Sequence, residues 1–219
     1  MSDLAALQLP IWCFVAIASL SATIGAMLAS QFDGVRVPPN TCLGATATPA
    51  ILALLLVPGP VPLGFALWSM VLILGLSGLA VIDAVSRTVP DILTVPLIPL
   101  GLLHAEMNGA PGLVFALAAL GVIGIAIAAH MALRRQATWL GAGDVLLLAG
   151  AVAWFGPAVL PDILFLTGLL LLIRLGLGEL IDLRPATCVP VARRADRAMP
   201  LAPALGAAQL LVWLGGPVF

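Results

Sequence analysis

Residues 63–91 read LGFALWSMVLILGLSGLAVIDAVSRTVPD. Twenty residues, 63–82, pass without a charge before Asp83 interrupts the run. At 1.5 Å of rise per residue, an apolar helix of about 20 residues crosses the roughly 30 Å hydrocarbon layer of a bilayer. The stretch is therefore predicted to be a transmembrane helix with a carboxylate at its end. It is one of several: apolar runs recur at about 9–30, 48–57, 92–105, 112–133, 144–158, 162–180 and 200–217. The second and fourth are short, and Pro58, Pro60 and Pro62 punctuate the gap after the second.

Composition agrees with this threading. Hydrophobic residues make up 62% of the 219 and charged residues 9%, with a mean hydropathy of +1.20. Soluble domains hold roughly 45–50% apolar and about 25% charged residues, so a soluble protein is excluded. A single anchor on a soluble head is excluded too, because the apolar runs cover the whole chain. A net charge of −1 leaves no basic surface for nucleic acid. Met-Ser-Asp is not a basic leader region, and no cleavable signal peptide is expected. The fold class expected is all-α: one polytopic membrane domain, 1–219, of about eight transmembrane helices.

The basic residues orient it. All nine are arginines. Arg36 falls in the 31–47 connection, Arg87 in 83–91, Arg134 and Arg135 in 134–143, and Arg184, Arg193, Arg194 and Arg197 in 181–199. With eight spans, these four connections share one side. The positive-inside rule makes that side cytoplasmic and both termini periplasmic. Arg174 is the exception, inside the seventh span near its cytoplasmic end. Glu179 lies five residues on and about 140° round the helix, so the two do not share a face; snorkelling to the headgroups is the simplest account of Arg174. The Pro-rich 37–49 stretch is expected to be a cytoplasmic loop.

With this topology, Asp83 closes the third span and Asp144 opens the sixth, both at the cytoplasmic boundary. Ionisable groups in that position are costly enough to suggest function, although headgroups and water also solvate boundary carboxylates. Gly141 and Gly143 flank the approach to Asp144 without side chains, which lets another backbone lie alongside. After Asp83 comes a short polar loop, and Pro90 and Asp91 suit the first turn or cap of the fourth span. Two carboxyl groups held within a few ångströms share a proton and can activate water against an amide.

These motifs resemble those of the type IV prepilin leader peptidases, membrane aspartic proteases with a Gly-x-Gly-Asp motif. Gly141-Ala142-Gly143-Asp144 matches that motif, and Asp83 followed by Val89-Pro90-Asp91 is similar to the family's other aspartate with its aliphatic-Pro-Asn/Asp. Met199-Pro200-Leu201-Ala202-Pro203-Ala204-Leu205 resembles the Pro-rich start of the family's last helix, and Val37-Pro38-Pro39-Asn40-Thr41-Cys42 the approach to its zinc loop. The resemblance implies an endopeptidase of the bacterial inner membrane. Asp83 and Asp144 would be its catalytic pair, with Gly141, Gly143, Pro90 and Asp91 as supporting or substrate-binding residues. Its substrate would be a type IV prepilin or pseudopilin, cut after a Gly where the basic leader meets the apolar stem. The stem would enter laterally while the leader stays in the cytoplasm, and the Arg-rich loops would contact anionic lipid.

Two departures stand out. The family's Lys two residues after the second aspartate is Leu146 here. Longer members also bind zinc through two Cys-x-x-Cys pairs and methylate the trimmed pilin; here Cys42 stands alone, with Ala45 where a partner would be. A structural zinc site needs four ligands, so neither metal nor cofactor is expected. A bifunctional peptidase and methyltransferase is disfavoured by the missing cysteines. A catalytically inactive assembly factor or a small transporter would share this composition, though a transporter more often has ionisable groups at the midplane.

The remaining residues have simpler readings. His104 and His130 fall at opposite membrane faces and cannot form one site. Glu106 and Asp162 are expected in hydrated outer loops, Cys13 as a packing residue and Cys188 as a loop thiol. Trp12, Trp68, Trp139, Trp154 and Trp213 lie near span ends, as an aromatic belt would. Within the pair, Asp144 opens a helix and Asp83 closes one. The helix dipoles then favour Asp144 as the carboxylate and Asp83 as the proton holder.

Overall fold

The computed structural model describes residues 8–32, 39–86, 88–132, 141–181 and 201–216. Among them are eight α-helices: α1 (Ile11–Phe32), α2 (Pro39–Leu56), α3 (Leu63–Ser86), α4 (Asp91–Met107), α5 (Gly112–Ala132), α6 (Ala142–Phe155), α7 (Leu160–Ile181) and α8 (Ala202–Gly215). All eight apolar runs became helices, as they must where no water is present to satisfy an open backbone. A two-residue antiparallel ladder pairs β1 (Gln8–Leu9) with β2 (Val61–Pro62), so α1 and α3 start at the same end. Four stretches, 11–31, 63–86, 112–129 and 157–176, are long and apolar enough to cross a membrane by length and composition. The molecule is an all-α membrane bundle.

Since every face of such helices is apolar, side-chain size decides which face turns inward. On α1, Ala18, Ala22, Ala26 and Ala29 are buried, while Trp12, Leu20 and Met27 point outward. Helix α3 is the central element, with Leu72, Ile73, Leu76 and Leu79 all fully enclosed. Gly25 and Gly78 let α1 and α3 touch backbone to backbone: a Cβ on Gly78 would stand 3.2 Å from the Gly25 carbonyl oxygen. Gly101 of α4 lies similarly against the backbone of Ala153 and Trp154 in α6.

Four expectations change. The 37–49 stretch is not all loop, because α2 begins at Pro39 and carries Pro49 within it. Proline fits the first turn of a helix, and membrane helices tolerate interior prolines better than soluble ones; α4 holds two, Pro96 and Pro99. The described tryptophans do not form a belt. Trp68, Trp154 and Trp213 surround His104 with ring centroids 5.3, 5.3 and 5.0 Å away, and only Trp12 among those described is exposed. Asp162 is buried in the first turn of α7 instead of hydrated in a loop. Cys13 is exposed, not packed. Trp139, Cys188 and the eight loop arginines lie outside the described residues, as do the side chains of Cys42, His130 and Glu179.

Candidate active site

Asp83 sits one turn before the end of α3 and is 4% exposed. Its Oδ2 accepts a hydrogen bond of 2.9 Å from the backbone N–H of Ala202, the first residue of α8. The opening N–H groups of a helix have no partner within it, and here one of them is spent on a buried carboxylate. Ala202 is the partner of Asp83 that sequence reasoning missed. The signal was present in Pro203, a first-turn proline that marks the helix as starting at Ala202.

Asp144 is the third residue of α6 and is half-buried. Its Oδ2 accepts a bond of 3.2 Å from the Gly141 N–H, which precedes the helix. This is half of a capping box; glycine has no side chain to complete the exchange. Gly141 is extended at φ −70°, ψ 153°, and its own N–H orients the carboxylate. Leu146, where the family's Lys would stand, is half-buried on the same helix.

Gly143 joins the two motifs. It is buried, and a Cβ there would run into the Val89 side chain and its carbonyl oxygen. Only a bare backbone lets the start of α6 lie on the linker that follows Asp83. One residue on, Pro90 forms the N-cap of α4 at φ −74°, ψ 131°, with Asp91 exposed at the first helical position. The buried Thr94 hydroxyl steadies this turn from below, 3.4 Å from the Pro90 oxygen and 3.3 Å from that of Asp91. Across the bundle, the Gln209 amide of α8 donates to the Leu147 oxygen of α6 at 3.4 Å.

The end of α3 and the starts of α4, α6 and α8 therefore meet at one end of the bundle. Three helix N-termini converge there, a setting that favours negative charge. The contrast expected between the aspartates loses its basis, because Asp83 also faces a helix N-terminus, that of α8. His104 belongs elsewhere. Its neighbour Trp68 stands fifteen residues before Asp83 on α3, about 22 Å along the axis. Among the described residues, no three His, Cys, Asp or Glu side chains gather as metal ligands would.

The model of the type IV leader peptidase family matches residues 70–176, a stretch that includes both aspartate motifs. A protein of Dichelobacter nodosus named prepilin leader peptidase/N-methyltransferase is 34% identical over 171 residues, covering 72% of this chain and 50% of that protein. The chain thus spans half the length of this curated relative. No solved structure matches. By the family match over its central helices and the identity to this relative, the chain belongs to the type IV leader peptidase family.

Proposed function

We propose that the protein is an aspartic endopeptidase that removes the leader of type IV prepilin or pseudopilin precursors at the cytoplasmic face of the bacterial inner membrane. The observation that carries this is the meeting of Gly143 with Val89, which brings the Asp144 and Asp83 motifs to one end of the bundle. In a singly protonated pair, the carboxylate takes a proton from water as its oxygen attacks the scissile carbonyl. The protonated partner donates to the carbonyl oxygen, and collapse expels the amine of the trimmed stem with a proton. Asp83 and Asp144 fill these two roles. Gly141, Gly143, Pro90 and Asp91 shape the walls, and the mechanism uses no metal or cofactor. The proposed topology has eight spans with both termini periplasmic, the Arg-rich loops meeting anionic lipid in the cytoplasm. Methyl transfer appears in the name of the relative; this chain's isolated cysteines favour the peptidase alone.

The test is cleavage of a prepilin by Asp83→Asn and Asp144→Asn in proteoliposomes. Asparagine keeps the shape of aspartate but cannot exchange a proton. Each variant is expected to insert normally and to lose cleavage entirely. Processing by either variant at normal expression would remove the pair from the mechanism.

A further inference from the structure

Helix α8 is apolar over its 14 residues except for Gln209 and the indole N–H of Trp213. Gln209 is 2% exposed. An amide buried among aliphatic side chains is destabilising unless it is hydrogen-bonded, and a methionine or leucine would fill a similar volume without that penalty. The amide of Gln209 is committed to a neighbouring helix, its Nε2 donating to the Leu147 oxygen of α6 at 3.4 Å. A helical carbonyl has a second lone pair to offer, so this bond takes nothing from the α6 ladder.

Two further bonds hold α8 along α3. At its start the Ala202 N–H donates to the Asp83 Oδ2 at 2.9 Å, and near its end the Trp213 Nε1 donates to the Ser69 Oγ at 2.7 Å. Bracketed between these two bonds, α8 resists sliding or turning on α3, and Gln209 carries that register across to α6. Gln209 lies seven residues after Ala202, two turns on along the same face. Leu147 lies one turn after Asp144 on α6. The Gln209–Leu147 bond therefore closes a chain of contacts that runs from Asp83 through α8 to α6 and ends at Asp144. We infer that Gln209 is a positioning residue, which sets the height of α6 against α8 and so the separation of the two aspartates. This rests on the peptidase reading above, in which that separation governs the chemistry. A lone buried amide between apolar helices can fix their register at a cost in stability.

The test is Gln209→Met in the full chain in proteoliposomes, with a designed precursor carrying a basic leader, a Gly and a Leu/Ala stem. Methionine is close to glutamine in length and volume and adapts to its surroundings, but it donates no hydrogen bond. The variant is expected to unfold in detergent titration no earlier than the wild type. Its kcat is expected to fall about thirtyfold, with KM changing less than about threefold, since a misplacement of about 1 Å can cost 10²-fold in rate. Thr167→Ala is the control. It removes a buried hydroxyl whose 2.6 Å bond to the Ile163 oxygen stays within α7, and it should leave kcat unchanged.

Spin labels on cysteines placed at Ala142 and Leu201, at the starts of α6 and α8, read the geometry directly in a chain whose native cysteines are serine. Their distance is expected to be narrowly distributed in the otherwise unaltered chain and to broaden or shift with Gln209→Met. An unchanged kcat or an unchanged distance would refute the positioning role and leave the aspartate pair standing. So would an equal loss of kcat in Thr167→Ala, or an early unfolding midpoint in Gln209→Met, either of which would make Gln209 a general support of the fold. If the wild type cleaves no precursor while the distance still changes, the peptidase reading fails and the α6–α8 register role of Gln209 stands.

Discussion

Gly143 is the residue on which the two aspartate motifs hinge. Its missing Cβ is replaced by the Val89 side chain and carbonyl oxygen, and the carbonyl cannot move without disturbing the entry to α4. Gly143→Ala forces α6 off that linker, an overpacking cost of about 1–3 kcal/mol. The functional effect exceeds the structural one, because a misplacement of about 1 Å at a catalytic group can cost 10²-fold in rate. The expected outcome is a folded protein with a slightly lower Tm and a kcat for prepilin cleavage reduced about a hundredfold. Gly141→Ala makes the contrast. A Cβ there meets only the flexible Asp144 Oδ2 at 3.3 Å, so its loss should be several-fold at most; equal losses in the two variants would contradict this account. The two motifs were legible in the sequence because a charge or a glycine stands out in an apolar run. The Ala202 amide was not, since every residue but proline carries one and only the fold selects which is used.

At the scale of the elements, α4 and α6 are joined by close contact at Gly101 and by the Trp154 indole, which donates to the Leu97 oxygen at 2.8 Å. Trp154→Phe keeps a ring beside His104 but removes that donor. The expected cost is about 0.5–1.5 kcal/mol, read as an earlier unfolding midpoint in detergent titration. Cleavage should be unaffected, since Trp154 is one residue from the far end of α6. A large loss of activity would mean that the aromatic cluster is coupled to the aspartates. Hydropathy located all eight helices because lipid demands long apolar runs, but it gave no rotation about the helix axis. Soluble helices reveal their buried face by a polar stripe on the other side; here both faces are apolar. Trp68, Trp154 and Trp213 therefore read as interfacial belt residues, although they point inward. Proline at 39 and 49 likewise read as loop, on rules learned from helices in water.

Across the whole molecule, the helices are unequal in a way that sets the depth of the site. Helix α3 has 24 residues and α6 and α8 have 14 each, or about 36 Å against about 21 Å. The cluster of Trp68, His104, Trp154 and Trp213 levels α3, α4, α6 and α8 at the end away from Asp83. With a hydrocarbon layer of roughly 30 Å, the starts of α6 and α8 then stop short of the opposite surface. The aspartates would lie in a depression there, within reach of water. The proposed cytoplasmic assignment of this surface rests on the arginines, eight of nine of which fall in connections on the Asp83 side. The β1–β2 ladder fixes residues 8–9 and 61–62 together at the other end. Single cysteines at positions 60, 109 and 160 should therefore react with an impermeant thiol reagent added from the periplasm. Cysteines at 87, 137 and 190 should react only after the membrane is opened. Labelling of position 137 from outside would turn the bundle over and place the aspartates on the periplasmic side, where a leader held in the cytoplasm could not reach them.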